Sequence, residues 1–514
     1  MQVVFRADAS RVIGYGHVMR CLTLAETLRE GGAGAAFIAR PHVGNLNDLV
    51  RARGFEVAEL SAPQPGPSPE APAHAAWVGG GWRDDARETR AAIGRLGGRP
   101  DWLVVDHYGL DERWEAELRG ETAGILAIDD LADRSHDCDL LLDQNLVEGI
   151  ATRYAEKVPG QCAAMLGPRY ALLQPQYAEL HRQLAPRTGA VRGVCICFGA
   201  ADLHGVTRLA LRALLNLNTE NLEIDVLLAG KDADADAMRA DAAGRAGVRF
   251  HERLPTLAHL LARADLAVGA AGATSWERLC LGVPSVVVTL AGNQRPVAAA
   301  LANRGLIDWV GHYDEVSLAA LQDALARRIA AGADTQRSRA GRALVDGAGA
   351  RRVRAALVVN AGTPLAVRPA VAADEDLLLE WANDALTRRN SFDRDLIGAD
   401  EHHRWLRDRL SAGRNCLLLL VETEDGVPLA TARFDRIETG WRVNYSVAAP
   451  YRARGLGPRV LESALAALAR AHPEASFVCA RVMATNEPSR RIFKRLGFQI
   501  VSDAAGAVEY RRAL

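Results

Sequence analysis

Residues 3–30 read VVFRADASRVIGYGHVMRCLTLAETLRE and contain the pattern that decides the fold of the first part of the chain. A short apolar run is followed by a loop with two glycines and then by a segment with helical periodicity. Apolar runs such as AAFIAR, WLVVDHY and GILAIDD repeat this alternation further along. The βαβ rhythm predicts a parallel sheet with helices on both faces.

The alternation of predicted strands and helices is interrupted by one insertion and begins again after residue 185. Residues 61–75, SAPQPGPSPEAPAHA, are rich in Pro and Ala and predict a surface insertion without regular structure. After a join near residue 185, strands begin again at VCICFGA (194–200) and continue through IDVLLAG, LAVGAAG and PSVVVTL. The two units predict two facing Rossmann-like domains (GT-B-like), at residues 1–185 and 186–360, with ligands in the cleft between them.

The last region, residues 364–514, has a different pattern. Helical segments such as EDLLLEWANDAL come first, and the strands LLLLVET, LATARFD and WRVNYSV follow. This order predicts an α+β domain. The predicted fold class is therefore α/β, with two Rossmann-like domains followed by one α+β domain.

Composition limits the classes of function. The chain has 514 residues and a formal net charge of -1, so it is too long for one core and has no overall basic field for nucleic acid or an anionic membrane. Its 8 cysteines form no CxxC and mostly lie in apolar runs, which favours free thiols in a reducing compartment over disulfides or zinc. The sequence shows no signal peptide and no apolar run long enough to cross a bilayer. These features predict a soluble cytoplasmic protein.

Polar residues follow several predicted strands of the first unit. In the loop GYGHVM, His17 stands where helix amides face the cleft, and a neutral imidazole there can take a proton from water. Spacing alone supports equally a histidine that merely begins a helix. The stretches DHYGLD (106–111), IDD (128–130) and LDQN (142–145) either cap helices or line a site.

In the second predicted Rossmann-like domain, residues 186–360, the stretch AGATSWE (271–277) follows a predicted strand. Thr274 and Glu277 have capping-box spacing, which explains both structurally. The functional alternative is a diphosphate bound by free amides, with Glu277 accepting hydrogen bonds from ribose hydroxyls. The two explanations are compatible.

Taken together, these motifs resemble the nucleotide-sugar hydrolases of pseudaminic acid biosynthesis, the PseG type, over about residues 1–350. That family resembles the two-domain fold of the peptidoglycan enzyme MurG. The resemblance implies release of UDP from UDP-2,4-diacetamido-2,4,6-trideoxy-β-L-altrose by water attack, with inversion and without an obligatory metal. His17 would be the general base. The resemblance also implies these substrate-binding residues: Asp8, Gly14, Tyr15, Gly16, Asp106, His107, Tyr108, Gly272, Thr274, Glu277, Asn293 and Gln294. The family often has FGG and a later Asn where this chain reads FGAADLHG (198–205).

A second site is predicted at NYSVAAPYRARGLG (444–457), which leads into an amphipathic helix. Glycines at a helix start expose amides and arginines add charge, as a pyrophosphate requires, although such loops are also common solvated turns. With FVCARVM, NEPS and FKRLGF, the region resembles the GCN-five-related N-acetyltransferases over about residues 365–514. The resemblance implies acetyl-CoA as cosubstrate. It assigns acetyl-CoA to Ser446, Val447, Ala448, Arg452, Arg454, Gly455, Leu456, Gly457, Asn486 and Ser489.

The proton-transfer residues of this second site are left open. Phe493 stands where the family commonly has the tyrosine that protonates the thiolate, so Tyr445, Tyr510 or water would have to serve. His402 and His403 are candidates for the base, although such a pair on a helix is more often solvated.

The two resemblances fit one pathway. In pseudaminic acid biosynthesis an acetyltransferase of the PseH type N-acetylates the UDP-sugar that the hydrolase then cleaves. The sequence therefore predicts a bifunctional enzyme with a UDP-sugar and acetyl-CoA as ligands, no metal, and neither nucleic acid nor membrane as partner. The alternatives are a glycosyltransferase, a pair of enzymes for another diacetamido sugar, and a non-catalytic nucleotide-sugar sensor. The sequence predicts no oligomeric state.

Overall fold

A computed structural model describes residues 1–64, 72–199, 202, 204–217, 221–228, 233–252, 254–438, 440–504 and 506–514. The chain divides into two compact units, Met1–Arg354 and Ala355–Leu514. The first unit contains two sheets and the second contains one. The division of the first unit into two domains near residue 185 stays a prediction, as does the start of the last domain at residue 364.

The first sheet is parallel throughout and has the order β3-β2-β1-β4-β5-β6-β7. Its central strands are apolar and buried, as expected for a sheet covered on both faces. Its strands are β1 (Gln2–Ala7), β2 (Gly34–Ala39), β3 (Glu56–Glu59), β4 (Trp102–Asp106), β5 (Gly124–Ile128), β6 (Leu140–Asp143) and β7 (Ala163–Leu166). The helices of this part are α1 (Gly16–Glu30), α2 (Asn47–Ala52), α3 (Trp82–Arg95), α4 (Glu112–Leu118) and α5 (Pro175–Gln183).

The second sheet is also parallel, with the order β10-β9-β8-β11-β12-β13. Its strands are β8 (Gly193–Cys197), β9 (Glu223–Leu228), β10 (Val248–Glu252), β11 (Leu266–Gly269), β12 (Ser285–Thr289) and β13 (Asp308–His312). Its helices are α6 (Val206–Leu215), α7 (Ala233–Asp241), α8 (Ala258–Arg263), α9 (Thr274–Cys280), α10 (Gln294–Asn303), α11 (Leu318–Ala331), α12 (Thr335–Leu344) and α13 (Gly349–Val358).

Both parallel sheets have one point where the strand order reverses. In the first sheet it lies between β1 and β4, and in the second between β8 and β11. Loops at such a point diverge beyond the carboxyl ends of the strands and leave a crevice for ligands. The loops that carry His17 and the DHYGLD motif flank the first crevice. At the second crevice, β8 ends at Cys197 and β11 ends at Gly269, shortly before AGATSWE.

The third sheet has the order β14-β15-β16-β17-β18-β20-β19 and is antiparallel except between β17 and β18. The predicted fold class, two Rossmann-like parallel sheets followed by an α+β domain, is confirmed. The strands are β14 (Leu365–Pro369), β15 (Cys416–Thr423), β16 (Pro428–Ile437), β17 (Gly440–Val447), β18 (Phe477–Met483), β19 (Gln499–Ala504) and β20 (Ala507–Ala513). The helices are α14 (Glu375–Ala382), α15 (Ala385–Arg389), α16 (Ala399–Ser411), α17 (Leu456–Ala471) and α18 (Glu487–Arg495).

The Pro-rich insertion between β3 and α3 lies partly outside the described residues, because residues 65–71 are not among them. Its described parts are irregular up to residue 74. A short 3-10 helix then occupies Ala75–Val78. The chain therefore regains regular structure at the last residue of the stretch that the sequence predicted to be irregular.

Some negative findings apply to the described part of the chain. No helix there is long and apolar enough to cross a bilayer. No group of three or more His, Cys, Asp or Glu side chains is placed to hold a metal ion. All 8 cysteines are free.

Candidate active sites

His17 is the second residue of α1 and is bound to a buried carboxylate. Its Nδ1 atom lies 2.6 Å from Oδ1 of Asp106, the last residue of β4. His17 is 6 % exposed and Asp106 is fully buried. An ionised carboxylate beside Nδ1 holds the proton on that nitrogen and leaves Nε2 as the basic nitrogen. The structure thus gives His17 a partner that a histidine at a helix start does not need.

Arg20 and Tyr108 complete this cluster. Arg20 donates from Nε and Nη2 to the two oxygens of Asp106, at 2.6 and 2.7 Å, and from Nη1 to Asp130 at 2.6 Å. Tyr108 donates its hydroxyl to Asp130 at 2.8 Å, and its ring meets that of His17 edge-on at 4.5 Å. Burial alone would raise the pKa of Asp106, but the charges of Arg20 and His17 hold the pKa below its ordinary value. Asp106 is therefore ionised at neutral pH.

The structure pairs Asp106 with protein groups, and its predicted contact with substrate stays a prediction. Sequence reasoning counted it among the residues that touch substrate. Both of its oxygens accept hydrogen bonds from protein groups, and the side chain has no exposed surface. Asp106 is therefore a positioning residue for His17.

Asp8 and His107 are likewise buried among protein groups, and their predicted contacts with substrate stay predictions. Asp8 is fully buried and accepts from the Arg6 guanidinium at 2.6 and 2.9 Å and from the backbone amide of Arg40 at 2.7 Å. His107 is 3 % exposed, and its Nε2 atom lies 3.5 Å from Asp8. Asp85, also buried, binds the other side of the Arg6 guanidinium. Neither Asp8 nor His107 offers a free surface to a sugar, so we interpret the pair as support for the loops above it.

The loop before His17 is open. Gly14 has φ +84°, a backbone conformation that other residues rarely adopt, and nothing lies within 4 Å of the position a Cβ would take. Gly16 likewise has open space at that position. Tyr15 lies between them and is half-buried. Among the candidates of the first sheet, this loop has the open space that direct contact with substrate requires.

The candidate UDP site is built at the start of α9. This helix begins at Thr274, and no side chain caps it, so the prediction of a capping box from Thr274 to Glu277 is wrong. Because Glu277 does not reach back to the backbone, its Oε2 atom is buried without a hydrogen-bond partner among the described residues. Burial raises the pKa of Glu277 to about 7, and Tyr177 partly opposes this rise. An unpaired carboxylate oxygen suits hydroxyl donors of a ligand.

Gly272 and Gln294 bring the neighbouring loops together. A Cβ on Gly272 would lie 3.8 Å from Nε2 of Gln294. Gln294 also accepts from the backbone amide of Leu290 at 2.9 Å, and Asn293 beside it is exposed. Residues 200, 201 and 203 of FGAADLHG lie outside the described residues, but Asp202 accepts from the first amides of α6, at 3.0 and 2.7 Å.

In the second unit, β17 and β18 separate. Over the described residues these two strands pair only at Trp441 with Val478 and Arg442 with Cys479. The edge of β17 from residue 443 to 447 therefore faces β18 without pairing with it. Ser446 and Val447 lie on this stretch, and Ala448 follows directly. A free strand edge can take an extended ligand by backbone hydrogen bonds, as the prediction for pantetheine requires.

The arginine side chains of the YRARGLG loop contact protein groups, and the predicted role of this loop in binding acetyl-CoA stays a prediction. Arg452 forms an ion pair with Asp384 at 2.6 Å and donates to the Val447 carbonyl at 2.9 Å. Arg454 donates weakly, at 3.4 Å, to two carbonyls, those of residues 357 and 359. Both guanidiniums are therefore engaged with protein groups. The backbone amides around Gly455 and Leu456 stand at the start of α17, where an anion would find free donors.

The glycines of this loop are required by its shape. Gly455 has φ +75° and precedes α17, whose first residue is Leu456. A Cβ on Gly457 would lie 2.5 Å from Cδ1 of Ile492, so α17 and α18 approach closely there. Arg459, on the first turn of α17, donates to the carbonyls of Ala361 and Thr363, both at 2.7 Å.

At the other side of the gap, Asn486 caps α18 by accepting from the amide of Ser489 at 3.2 Å. The Ser489 hydroxyl lies 3.2 Å from that of Tyr445 on β17. Phe493 is 2 % exposed, and its ring packs against those of Tyr445, Phe498 and Tyr510. A packed phenylalanine therefore occupies the position of the common tyrosine, and Tyr445, whose hydroxyl contacts Ser489, lies against its ring.

The two histidines of α16 have separate environments. His402 is 2 % exposed, and burial lowers its pKa. His403 is exposed and lies 3.0 Å from both oxygens of Glu375. Neither arrangement identifies a base.

Sequence reasoning missed Arg20, His74 and Trp77. Arg20 is three residues after His17, so both lie on one face of α1, and a charged residue in an otherwise apolar helix start was the available signal. His74 and Trp77 belong to or directly follow the Pro-rich insertion, and no local pattern linked them to the site. Their rings lie 5.4 and 5.7 Å from that of Tyr108.

Comparison with known proteins agrees with this division. Residues 365–499 match the family model described as Acetyltransferase (GNAT) domain. The chain is 24 % identical over 306 residues to the UDP-2,4-diacetamido-2,4,6-trideoxy-beta-L-altropyranose hydrolase of Campylobacter jejuni, which covers 59 % of this chain and 97 % of that protein. It is 21 % identical over 296 residues to an uncharacterized protein of Methanocaldococcus jannaschii, which covers 56 % of this chain and 55 % of the archaeal protein. The chain thus spans about half the length of that relative.

Among solved structures, MurG of Acinetobacter baumannii is similar to 69 % of this chain and 98 % of its own, with a TM-score of 0.48 and 15 % identity.

Proposed function

We propose that this chain, which joins a region related in sequence to a UDP-sugar hydrolase to a GNAT acetyltransferase domain, catalyses two consecutive steps of pseudaminic acid biosynthesis. The second unit transfers an acetyl group to the 4-amino group of UDP-4-amino-4,6-dideoxy-β-L-AltNAc. The first unit then hydrolyses the product, UDP-2,4-diacetamido-2,4,6-trideoxy-β-L-altrose. The observation that carries the hydrolase assignment is the His17–Asp106 pair at the reversal point of the first sheet.

The hydrolytic step uses His17 as the base. Its Nε2 atom takes a proton from water while the water oxygen bonds to the anomeric carbon. The bond from that carbon to the UDP oxygen breaks, and UDP leaves with the bonding electrons. Asp106 holds the imidazole and stabilises its positive charge, with Arg20 fixing Asp106 in turn. Attack opposite the leaving group inverts the configuration, and the step as proposed uses no metal.

The second sheet of the first unit binds the nucleotide in this proposal. Glu277 accepts hydrogen bonds from the ribose hydroxyls with the oxygen that has no partner among the described residues. Gly272 and the amides around Thr274 lie next to the diphosphate, and Asn293 and Gln294 close the same side. Tyr15 and Tyr108, with Gly14 and Gly16, lie against the sugar.

The acetyl-transfer step uses the gap between β17 and β18. Acetyl-CoA supplies the activated acetyl group when bound. Ser446, Val447 and Ala448 pair with its extended pantetheine part, and the amides of residues 454–457 hold its pyrophosphate. We assign the proton donor to the Tyr445 hydroxyl, which burial keeps protonated because it raises the pKa of that phenol. Ser489 orients the hydroxyl.

We place the protein in the cytoplasm, where acetyl-CoA and nucleotide sugars would be its substrates. One assay tests the proposal: the full chain with UDP-4-amino-4,6-dideoxy-β-L-AltNAc and acetyl-CoA, with CoA and UDP followed by chromatography. CoA should appear first and UDP second. His17→Ala should slow UDP release by roughly 10²–10⁴-fold, the usual contribution of a general base, and leave CoA release unchanged.

His259→Ala is the matched control, because that histidine lies exposed on α8. UDP release that does not depend on His17 would contradict the proposed base. CoA release without any UDP release would contradict the hydrolase assignment and favour a transferase or a sensor.

A further inference from the structure

The end of the Pro-rich insertion lies on the ring of Tyr108, next to His17. Trp77 stacks on Tyr108 with ring centroids 5.7 Å apart and planes 26° apart. His74 meets the Trp77 ring at 4.5 Å and the Tyr108 ring at 5.4 Å. Tyr108 in turn meets His17 at 4.5 Å. The base is therefore continuous with a small aromatic cluster, defined here as His74, Trp77 and Tyr108.

The insertion is fitted to the loop that carries Tyr108. A Cβ on Gly109 would lie 2.7 Å from the His74 carbonyl oxygen and 2.8 Å from Cγ2 of Val78, so no larger residue fits there without a shift. The two ends of the insertion also meet, because the amide of Gln64 donates to the carbonyl of Gly79 at 2.8 Å. The segment 72–78 therefore has a defined position beside the site.

The chemistry of this cluster is mainly apolar. His74 and Trp77 are half-buried, so part of each ring remains accessible. Burial lowers the pKa of His74, which keeps its ring neutral at pH 7. Its Nδ1 atom is buried and has no hydrogen-bond partner within the described ranges. Aromatic faces with a few polar atoms are the usual lining of small-molecule sites and pack well on methyl groups and CH faces.

We infer that His74 and Trp77 form one wall of the sugar subsite and select nucleotide-linked pyranoses that carry a methyl group at C6. The inference rests on the proposed function, because a base that activates water for attack must lie beside the anomeric carbon. The pyranose ring then lies within reach of Tyr108 and of the two rings that cover it. If C6 carried a hydroxyl, that hydroxyl would lose its contacts with water against this wall and gain no new hydrogen bond.

The test uses the full chain and compares two substrates, UDP-2,4-diacetamido-2,4,6-trideoxy-β-L-altrose and its 6-hydroxy analogue. In the wild type, kcat/KM for UDP release should favour the methyl compound. Trp77→Ala should lower kcat/KM for the methyl compound about tenfold or more and bring the ratio of the two substrates towards one, since one apolar group in a pocket is worth roughly 10–200-fold. The affinity for UDP alone should not change. Trp77→Phe should keep most of the preference, and His74→Ala should weaken it.

Trp82→Ala is the matched control. Trp82 follows the same insertion but packs under the guanidiniums of Arg83 and Arg113, away from the cluster. An unchanged ratio in both Trp77→Ala and His74→Ala, with unchanged UDP affinity, would overturn the inference and leave the proposed function intact. If the wild type binds UDP but hydrolyses neither sugar, the proposed function fails. The affinities for the two sugars then decide the inference, which equal binding would overturn.

Discussion

His17 differs from an ordinary first-turn histidine in the partner of its Nδ1 atom. A solvated histidine at that position would leave both ring nitrogens to water. Here a fully buried carboxylate, itself held by Arg20, fixes one nitrogen and the direction of the ring. The local sequence showed the histidine and the aspartate but not that they meet, because 89 residues separate them. The strand order joins them.

The pair predicts the effect of Asp106→Asn. An amide in place of the carboxylate no longer fixes the proton on Nδ1 or stabilises the charged imidazole, so the turnover number for UDP release should fall by roughly 10²-fold or more. UDP affinity and CoA release should stay near wild type. Asp48→Asn, at a fully exposed carboxylate, is the matched control. Full activity in Asp106→Asn would show that His17 acts without this partner.

The Glu277 side chain does not cap α9, and one of its carboxylate oxygens has no hydrogen-bond partner among the described residues. Its spacing from Thr274 predicted a capping box, but α9 begins one residue too early for that bond, because Ala273 and not Thr274 is the N-cap. The carboxyl is buried instead, and burial raises its pKa to about 7. A carboxyl with such a pKa is half protonated at neutral pH, and hydroxyl donors would favour its ionised form.

UDP affinity should therefore depend on pH through Glu277. Because the ligand binds the ionised form, the pKa of Glu277 falls on binding, and affinity rises with pH. Between pH 6 and pH 8 the ionised fraction of a group with a pKa of about 7 grows roughly tenfold, and the association constant should grow in proportion. Calorimetric titration with UDP measures this. Glu277→Gln removes the contribution of this group, so any slope left in the variant belongs to UDP itself. Identical slopes in both proteins would contradict the assignment.

At the scale of elements, two features of the second unit bear on the predicted coenzyme site. The arginines of the loop before α17 contact protein groups, and the proposed pyrophosphate site therefore depends on the amides at the start of that helix. The register between β17 and β18 stops after two pairs, and the gap begins there. Tyr445 lies in this gap on β17, and its hydroxyl reaches α18 at Ser489.

This placement predicts that Tyr445→Phe slows acetyl transfer. The variant keeps the ring that packs on Phe493 and removes only the hydroxyl. CoA release should fall by roughly 10²-fold, the lower range for proton transfer by a positioned group, while the calorimetric affinity for acetyl-CoA stays constant. Tyr510→Phe, in the fully buried core, is the control and should keep its rate. The reverse result would move the role to Tyr510.

Helices and strands with a regular pattern of apolar residues were predictable from the sequence, whereas the residues at which they begin and end were less predictable. The strands that carry Asp106 and Gly269 follow from apolar runs, and the position of His17 in α1 follows from the glycine loop before it. The partners of Asp8, His107 and Arg452 were not predictable, because each is set by strands or helices distant in sequence. The role of segment 72–78 was hidden by its composition, since Pro and Ala describe a loop and not what the loop covers.

At the scale of the whole molecule, three sheets with two topologies are joined in one chain. The two parallel sheets each place a candidate loop pair at the point where strand order reverses. The antiparallel sheet instead opens between two strands. The fusion could be recognised from sequence because each part carries its own motifs. The substrate could not, because the side chains inferred to select it, such as Trp77, belong to no motif.

The hydrogen bonds of Arg454 and Arg459 bear on where the chain could be divided without disturbing the acetyltransferase part. Their acceptors are carbonyls of residues 357, 359, 361 and 363, all before the first strand of the acetyltransferase sheet. A truncation at residue 364 would take these acceptors from the helix start that is proposed to hold the pyrophosphate. A break before Ala355 would keep them. The short tether between the two enzymes is thus also part of the coenzyme-binding half, and a proteolytic or genetic separation that treats it as a spacer would loosen that half.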